Sequence, residues 1–197
     1  MISDRERFGK AIAAFDAANA EDPNREATGG VERPKELLYA ERMSAWLERL
    51  EPGAGEAVRL AVRAQHIRRW TIPRGDYPMD RQGYRAWRTD LARFHAEAAG
   101  EILERAGYDA RTIERVRALL RKERLKADPE VQLLEDVACL VFLESYFADF
   151  AAKHDEGKLV EIVRKTWRKM SPRGHEAARS LELAPHLAAI VEKAVSG

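Results

Sequence analysis

His66, His95 and Asp136 each stand on a helical face whose other positions are apolar, and each belongs to a different stretch of the chain. Residues three and four apart share a helix face. On that spacing Val58, Val62 and His66 form one stripe, and Tyr84, Trp87, Leu91, His95, Ala98 and Ile102 form a second. Leu133, Asp136, Leu140, Leu143 and Phe147 form a third, beside a face of Val131, Glu135, Cys139, Phe142 and Tyr146 that carries Glu135. A buried carboxylate is costly unless it is paired, hydrogen-bonded or bound to a metal. Neutral imidazole and carboxylate converging from separate helices suit a divalent transition metal such as Mn, Fe or Zn. His66, His95 and Asp136 are therefore candidate metal ligands. A hydrogen-bonded core histidine or an arginine-paired aspartate is the alternative for each of them.

A second kind of chemistry lies in "RRWTIPRGDYPMDRQGYRAWR", where arginines alternate with Trp70, Tyr77, Tyr84 and Trp87. Guanidinium groups fork onto phosphate or carboxylate oxygens, and aromatic faces stack on bases or on the guanidinium itself. Arg69, Arg74, Arg81 and Arg88 are the candidates for holding a phosphorylated ligand. From Arg63 to Arg93 eight arginines face three acids, whereas from Asp128 to Glu161 nine acids face two lysines. The same arginines could instead neutralise that acidic stretch and stack on tryptophan.

The elements that must position these groups are helices. Strand signals are scarce, and Gly and Pro punctuate an almost continuous helical spacing. A first helix is expected from Asp4 to Ala20, followed by a loop, "EDPNREATGGVERP", and a second helix, "KELLYAERMSAWLERL", opened by Pro34. A third should span Glu56 to Trp70 and place His66 near its end. Pro73 and Pro78 make "TIPRGDYPMD" an extended connector. Asp80 then caps a fourth helix from Arg81 to Ala106, stopped by Gly107. Further helices are expected at Ala110 to Leu125, Asp128 to His154 and Gly157 to Met170, with a break at Ser171, Pro172 and Gly174 before the last one or two. The stretch from Val137 to Leu143 is apolar on nearly every side and should be central. The expectation is an all-α helical bundle, one domain over residues 1–197.

Composition agrees with a globular helical protein: 34% of residues are charged and 45% hydrophobic, and a net charge of +1 gives no reason for non-specific nucleic-acid binding. The single Cys139 lies in "VACLVFL" and reads as a small buried hydrophobe. No stretch approaches a membrane span, and charges interrupt the N-terminus where a signal peptide needs an apolar core, so a cytoplasmic location is expected. Glu97 shares its face with Glu101 and Glu104 and reads as solvated surface. His154, His175 and His186 read as surface groups at helix ends.

The stretches "PKELLYAERMSAWLERL", "AQHIRRWTIPR", "YPMDRQGYRAWR", "HAEAA", "LEDVACLVFLESYFA" and "VRKTWRKMS" together resemble domain-of-unknown-function family 4202, which implies no activity. "AVRAQHIRRW" is also similar to the helix end that carries the metal-binding motif of HD-domain metalloproteins, a helical superfamily of phosphohydrolases with some diiron oxygenases. "EDVACLVFLE" is similar to that superfamily's later helix with its last aspartate. The resemblance implies an HD-like arrangement with His66, His95 and Asp136 as ligands. Ile67 departs from it, standing where the motif has aspartate, and no histidine precedes His66 as a first ligand; Glu41 falls at a plausible distance. The implied function is metal-dependent hydrolysis of a small phosphorylated or nucleotide substrate, with Glu41 or Glu135 completing the shell or acting as base. Iron-dependent oxygenation, and a non-catalytic module docking an acidic partner or RNA, are the alternatives.

Overall fold

The computed structural model describes residues 3–196, and among these the chain is all-α: ten α-helices and one two-stranded hairpin. The backbone forms two compact units, Met1–Leu125 and Lys126–Gly197. No helix among the described residues is long and apolar enough to cross a membrane.

The first unit holds α1 (Asp4–Ala20), a hairpin of β1 (Arg25–Thr28) and β2 (Val31–Pro34), α2 (Lys35–Leu50), α3 (Glu56–Ala64), α4 (Arg81–Arg105) and α5 (Ala110–Leu120). The expected loop before α2 is thus a hairpin. Thr28 pairs with Val31 across Gly29 and Gly30, whose φ values of 57° and 80° give the left-handed two-residue turn that suits the twist of paired strands. Glu26 pairs with Arg42 of α2, and Arg33 forks onto both carboxylate oxygens of Glu41 at 2.7 Å. Glu41 therefore ties the hairpin to α2, and a role as metal ligand or base does not fit that geometry. The N-terminus of α2 lacks its own capping side chain; buried Asp22 supplies it, its Oδ2 accepting the Glu36 N–H at 3.0 Å.

Short α3 is the hub of this unit, touching α1, α2, α4 and α5. Its Leu60, Ala61, Val62 and Ala64 are fully buried, and the small side chains let neighbouring helices approach closely. It ends at Ala64, earlier than the sequence spacing suggests. Arg68 adopts a left-handed conformation (φ 49°), and its N–H donates to Oδ1 of fully buried Asn19, 49 residues upstream. That contact from α1 turns the chain after His66 and folds Arg69 back over it.

The second unit holds α6 (Pro129–Val141), a π-helical turn (Phe142–Tyr146), α7 (Phe147–Ala151), α8 (Glu156–Lys169), α9 (Pro172–Arg179) and α10 (Pro185–Val195). Val137, Cys139, Leu140, Val141 and Leu143 are all buried, as the all-round apolarity predicts. Phe147, Leu159, Val163, Leu187 and Ala194 form a cluster where α10 meets α7 and α8. Asp136 braces α9. Its Oδ1 accepts from the Ser171 N–H at 2.8 Å and from Gln132 Nε2 at 3.0 Å, while Oδ2 accepts from the Ser171 hydroxyl. Ser171 in turn caps α9 by accepting the Gly174 N–H. Glu135, 4% exposed, lies 3.6 Å from Lys169 Nζ.

Candidate anion-binding site

A cleft of about 470 Å³ opens in the first unit between the turn after α3, one face of α4 and the end of α5. Three elements supply its polar groups. Gln65, His66 and Arg69 come from the turn; Arg88, Arg93 and His95 come from α4; Arg121 and Lys122 follow α5. Five of the lining residues are cationic, two are imidazoles and none is a carboxylate. Leu91, Ala92 and Leu120 supply apolar wall.

The tautomers of both histidines follow from their partners. Arg69 Nη1 lies 3.2 Å from His66 Nε2, and a guanidinium only donates, so Nε2 is the acceptor and Nδ1 carries the proton. That Nδ1–H donates to Glu36 Oε2 at 3.1 Å, and Tyr39 stacks on the ring at 3.9 Å. His95 Nδ1 donates to the Ile67 carbonyl at 2.9 Å, which leaves His95 Nε2 as a buried acceptor without a partner. The rings of His66 and His95 lie 5.9 Å apart.

The cleft wall is cationic, and Arg69, Arg93 and Arg121 have carboxylate partners behind it. Burial raises the Glu36 carboxyl to about 7 despite the opposing pull of Arg69, which weakens its negative charge around neutral pH. Burial, and then the Glu36 and Arg88 charges with opposite signs, leave the Arg69 guanidinium below its ordinary value. Burial, with Arg69 next, holds His66 well below the usual imidazole range, and burial holds His95 down at about 3. Arg93 is paired with Asp90, and Arg121 with Glu114 and Glu123. Arg69 also lies over the Trp87 ring at 4.8 Å. No hydrogen-bond acceptor among the described residues engages Arg88.

These values fix the sign of a stability experiment. His95 stays neutral when folded down to about 3, whereas an unfolded histidine protonates near 6.5; its contribution is present above 6.5 and lost as pH falls toward 3. Glu36 behaves oppositely: with its folded value raised to about 7 from 4.5, its contribution is present below 4.5 and lost as pH rises through 7. Urea unfolding at pH 5 and pH 8 should show His95→Gln losing less stability than the wild type on the acid side, and Glu36→Gln losing less on the alkaline side.

Lys122 reaches the cleft from a strained position. Glu123 N–H bonds to the Ala118 carbonyl and Lys122 N–H to Leu119, closing α5 with Lys122 left-handed at φ 55°. Helix α4 ends in a similar turn with Gly107 at φ 87°, where no side chain objects. Lys122→Gly should therefore stabilise the protein by up to about 1 kcal/mol while weakening anion binding. Thermal melts and calorimetric titration would show the two effects moving apart.

The structure brings His66, His95, Arg69 and Arg88 to one cleft. It directs Arg74 elsewhere, to the Tyr77, Pro78 and Asp80 carbonyls that brace the connector, and leaves Arg81 exposed. Glu36, Gln65 and Lys122 are the site residues that sequence reasoning missed. Glu36 carried a usable signal, because it shares the buried face of Tyr39, Ala40 and Met43 in the way His95 interrupts α4.

A resident metal does not fit this arrangement. His66 Nε2 already accepts from Arg69, the surrounding guanidinium groups repel a cation, and the oxygens of Asp136 are engaged around the start of α9. Among the described residues no group of three or more His, Cys, Asp or Glu is placed to hold one ion. Ile67, where the HD motif has aspartate, is fully buried, and only its carbonyl serves the site.

No curated protein and no solved structure matches the chain. The family model described as domain of unknown function (DUF4202) matches residues 9–191. A match of that extent shows that the chain belongs to the DUF4202 family.

Proposed function

We propose that the chain is a phosphohydrolase-like enzyme that binds a small phosphorylated compound in the cleft between α3, α4 and α5. The observation that carries this reading is the wall itself, with five cations, two neutral imidazoles and no carboxylate. Arg88 lacks an acceptor among the described residues and its charge opposes that of Arg69, a cost that an anion between them would offset, and phosphate accepts forked guanidinium hydrogen bonds. Arg69, Arg88 and Lys122 hold the phosphate. His66, oriented by Glu36 as a carboxylate orients the base of a hydrolytic triad, takes a proton from the water that attacks phosphorus as the ester P–O bond breaks, and returns it to the departing alkoxide.

Arg69 occupies His66 Nε2 in the free protein, and a phosphate that draws the guanidinium away exposes that nitrogen. The same dianion offsets the Arg69 and Arg88 charges that depress the imidazole, so proton affinity at His66 rises when substrate is present. No ion at His66 is needed for either step.

Isothermal titration with inorganic phosphate and a panel of phosphomonoesters, together with a phosphate-release assay, tests the proposal. Saturable binding at one site, with release from at least one ester that is lost in His66→Gln, is the expected result. Absence of small-anion binding at low salt would overturn it. Affinity for a short RNA that falls steeply with salt, without a small-anion site, would favour a docking module instead.

A further inference from the structure

His95 borders the cleft but is not equipped to bind phosphate. Its only proton sits on Nδ1 and is given to the Ile67 carbonyl at 2.9 Å, so Nε2 presents a lone pair. That nitrogen has no partner, and the side chain is 4% exposed. Gln65 Oε1, on a residue 6% exposed that also lines the cleft, is a second acceptor without a partner. A buried acceptor left unsatisfied costs roughly 1–3 kcal/mol, and both residues line the cleft, so a ligand seated there can supply the missing donor once the side chains shift to admit it.

A phosphate dianion has no proton to offer, and its oxygens would meet the Nε2 lone pair repulsively. An ammonium donor is repelled by the five lining cations. A hydroxyl has neither fault. The cleft volume of about 470 Å³ leaves room for more than a phosphate ion, since a water takes about 30 Å³ of liquid. Leu91 and Leu120 can cover the carbon skeleton. Resting on the phosphate-binding reading above, we infer that the ligand is a phosphorylated polyol of the sugar-phosphate class, which donates one hydroxyl to His95 Nε2 and a second to Gln65. His95 is then the residue that separates hydroxylated phosphates from plain alkyl ones.

The test compares ribose 5-phosphate with n-pentyl phosphate, which carries the same charged group on five carbons without hydroxyls. Calorimetry on the full chain should give ribose 5-phosphate at least about tenfold tighter binding, as expected for one satisfied buried acceptor. The ¹⁵N resonance of His95 Nε2 should shift with ribose 5-phosphate and stay put with pentyl phosphate. His95→Phe should bring the affinity ratio toward one while pentyl phosphate still binds. Equal affinities in the wild-type protein, or an unmoved Nε2 resonance under saturating ribose 5-phosphate, would overturn the inference, and both are read even if His95→Phe does not fold. If pentyl phosphate binds and the hydroxyls bring no gain, the phosphate site stands and the sugar assignment falls. If neither compound binds, the phosphate reading fails and takes this one with it.

Discussion

Arg88→Ala should weaken binding of a phosphorylated ligand by roughly 10- to 100-fold, the loss of one charge-assisted hydrogen bond of about 1.5–3 kcal/mol, with no loss of fold stability. The separation follows from its surroundings. Arg88 is half-buried on the cleft face of α4, seven residues before His95, and no acceptor among the described residues holds it. Removing it deletes a ligand contact and relieves repulsion with Arg69. Arg69→Ala should lose affinity too, but at a cost in stability, because it also strips the hydrogen bond to His66 and the packing on Trp87. Arg74→Ala should leave affinity unchanged and loosen the connector, since its guanidinium holds backbone carbonyls. Calorimetric titration and urea unfolding of the three variants sort these outcomes. Equal affinity in Arg88→Ala and the wild type would remove the cleft as a phosphate site.

What the sequence made legible was set by local physics. Helix periodicity placed α1 at its observed limits, Asp80 was readable as the cap of α4, and the buried stripe of Trp87, Leu91, His95 and Ile102 was readable from spacing alone. Inwardness of His66 and His95 came from the same rule. Their partners did not, because those arise from long-range contacts. The Asn19 side chain that ends the helical run before Arg68 lies 49 residues away, and the Glu36 carboxylate that fixes the His66 tautomer lies 30 away. Asp136 shows the opposite error. Its apolar neighbours correctly marked it as buried, at 2% exposed, but a buried carboxylate can be satisfied by a helix start as well as by a metal, and only the position of Ser171 decides which. The arginines divided for a similar reason: sequence density showed a cationic region, whereas the left-handed turn at Arg68 selected Arg69 for the cleft and the connector's own carbonyls took Arg74.

His66→Gln should lower kcat for phosphate-ester hydrolysis by about 10²- to 10⁴-fold while changing ligand affinity much less, because the proton acceptor is lost and the cations remain. Glu36→Gln gives the more discriminating result. Its amide oxygen can still accept the His66 Nδ1–H, so the ring keeps its orientation, but the negative charge that stabilises the imidazolium formed during proton transfer is gone. In the wild type, kcat/KM should rise with pH as the Glu36 carboxyl ionises near 7, because the charged form supports proton acceptance at His66. That limb should vanish in Glu36→Gln, leaving the substrate's own second phosphate ionisation near 6. A pH profile measured on both proteins with one ester separates the two ionisations. A merely structural Glu36 would predict parallel profiles of different height, and such a result would strip the Glu36–His66 pair of its acid–base role while leaving the anion site intact.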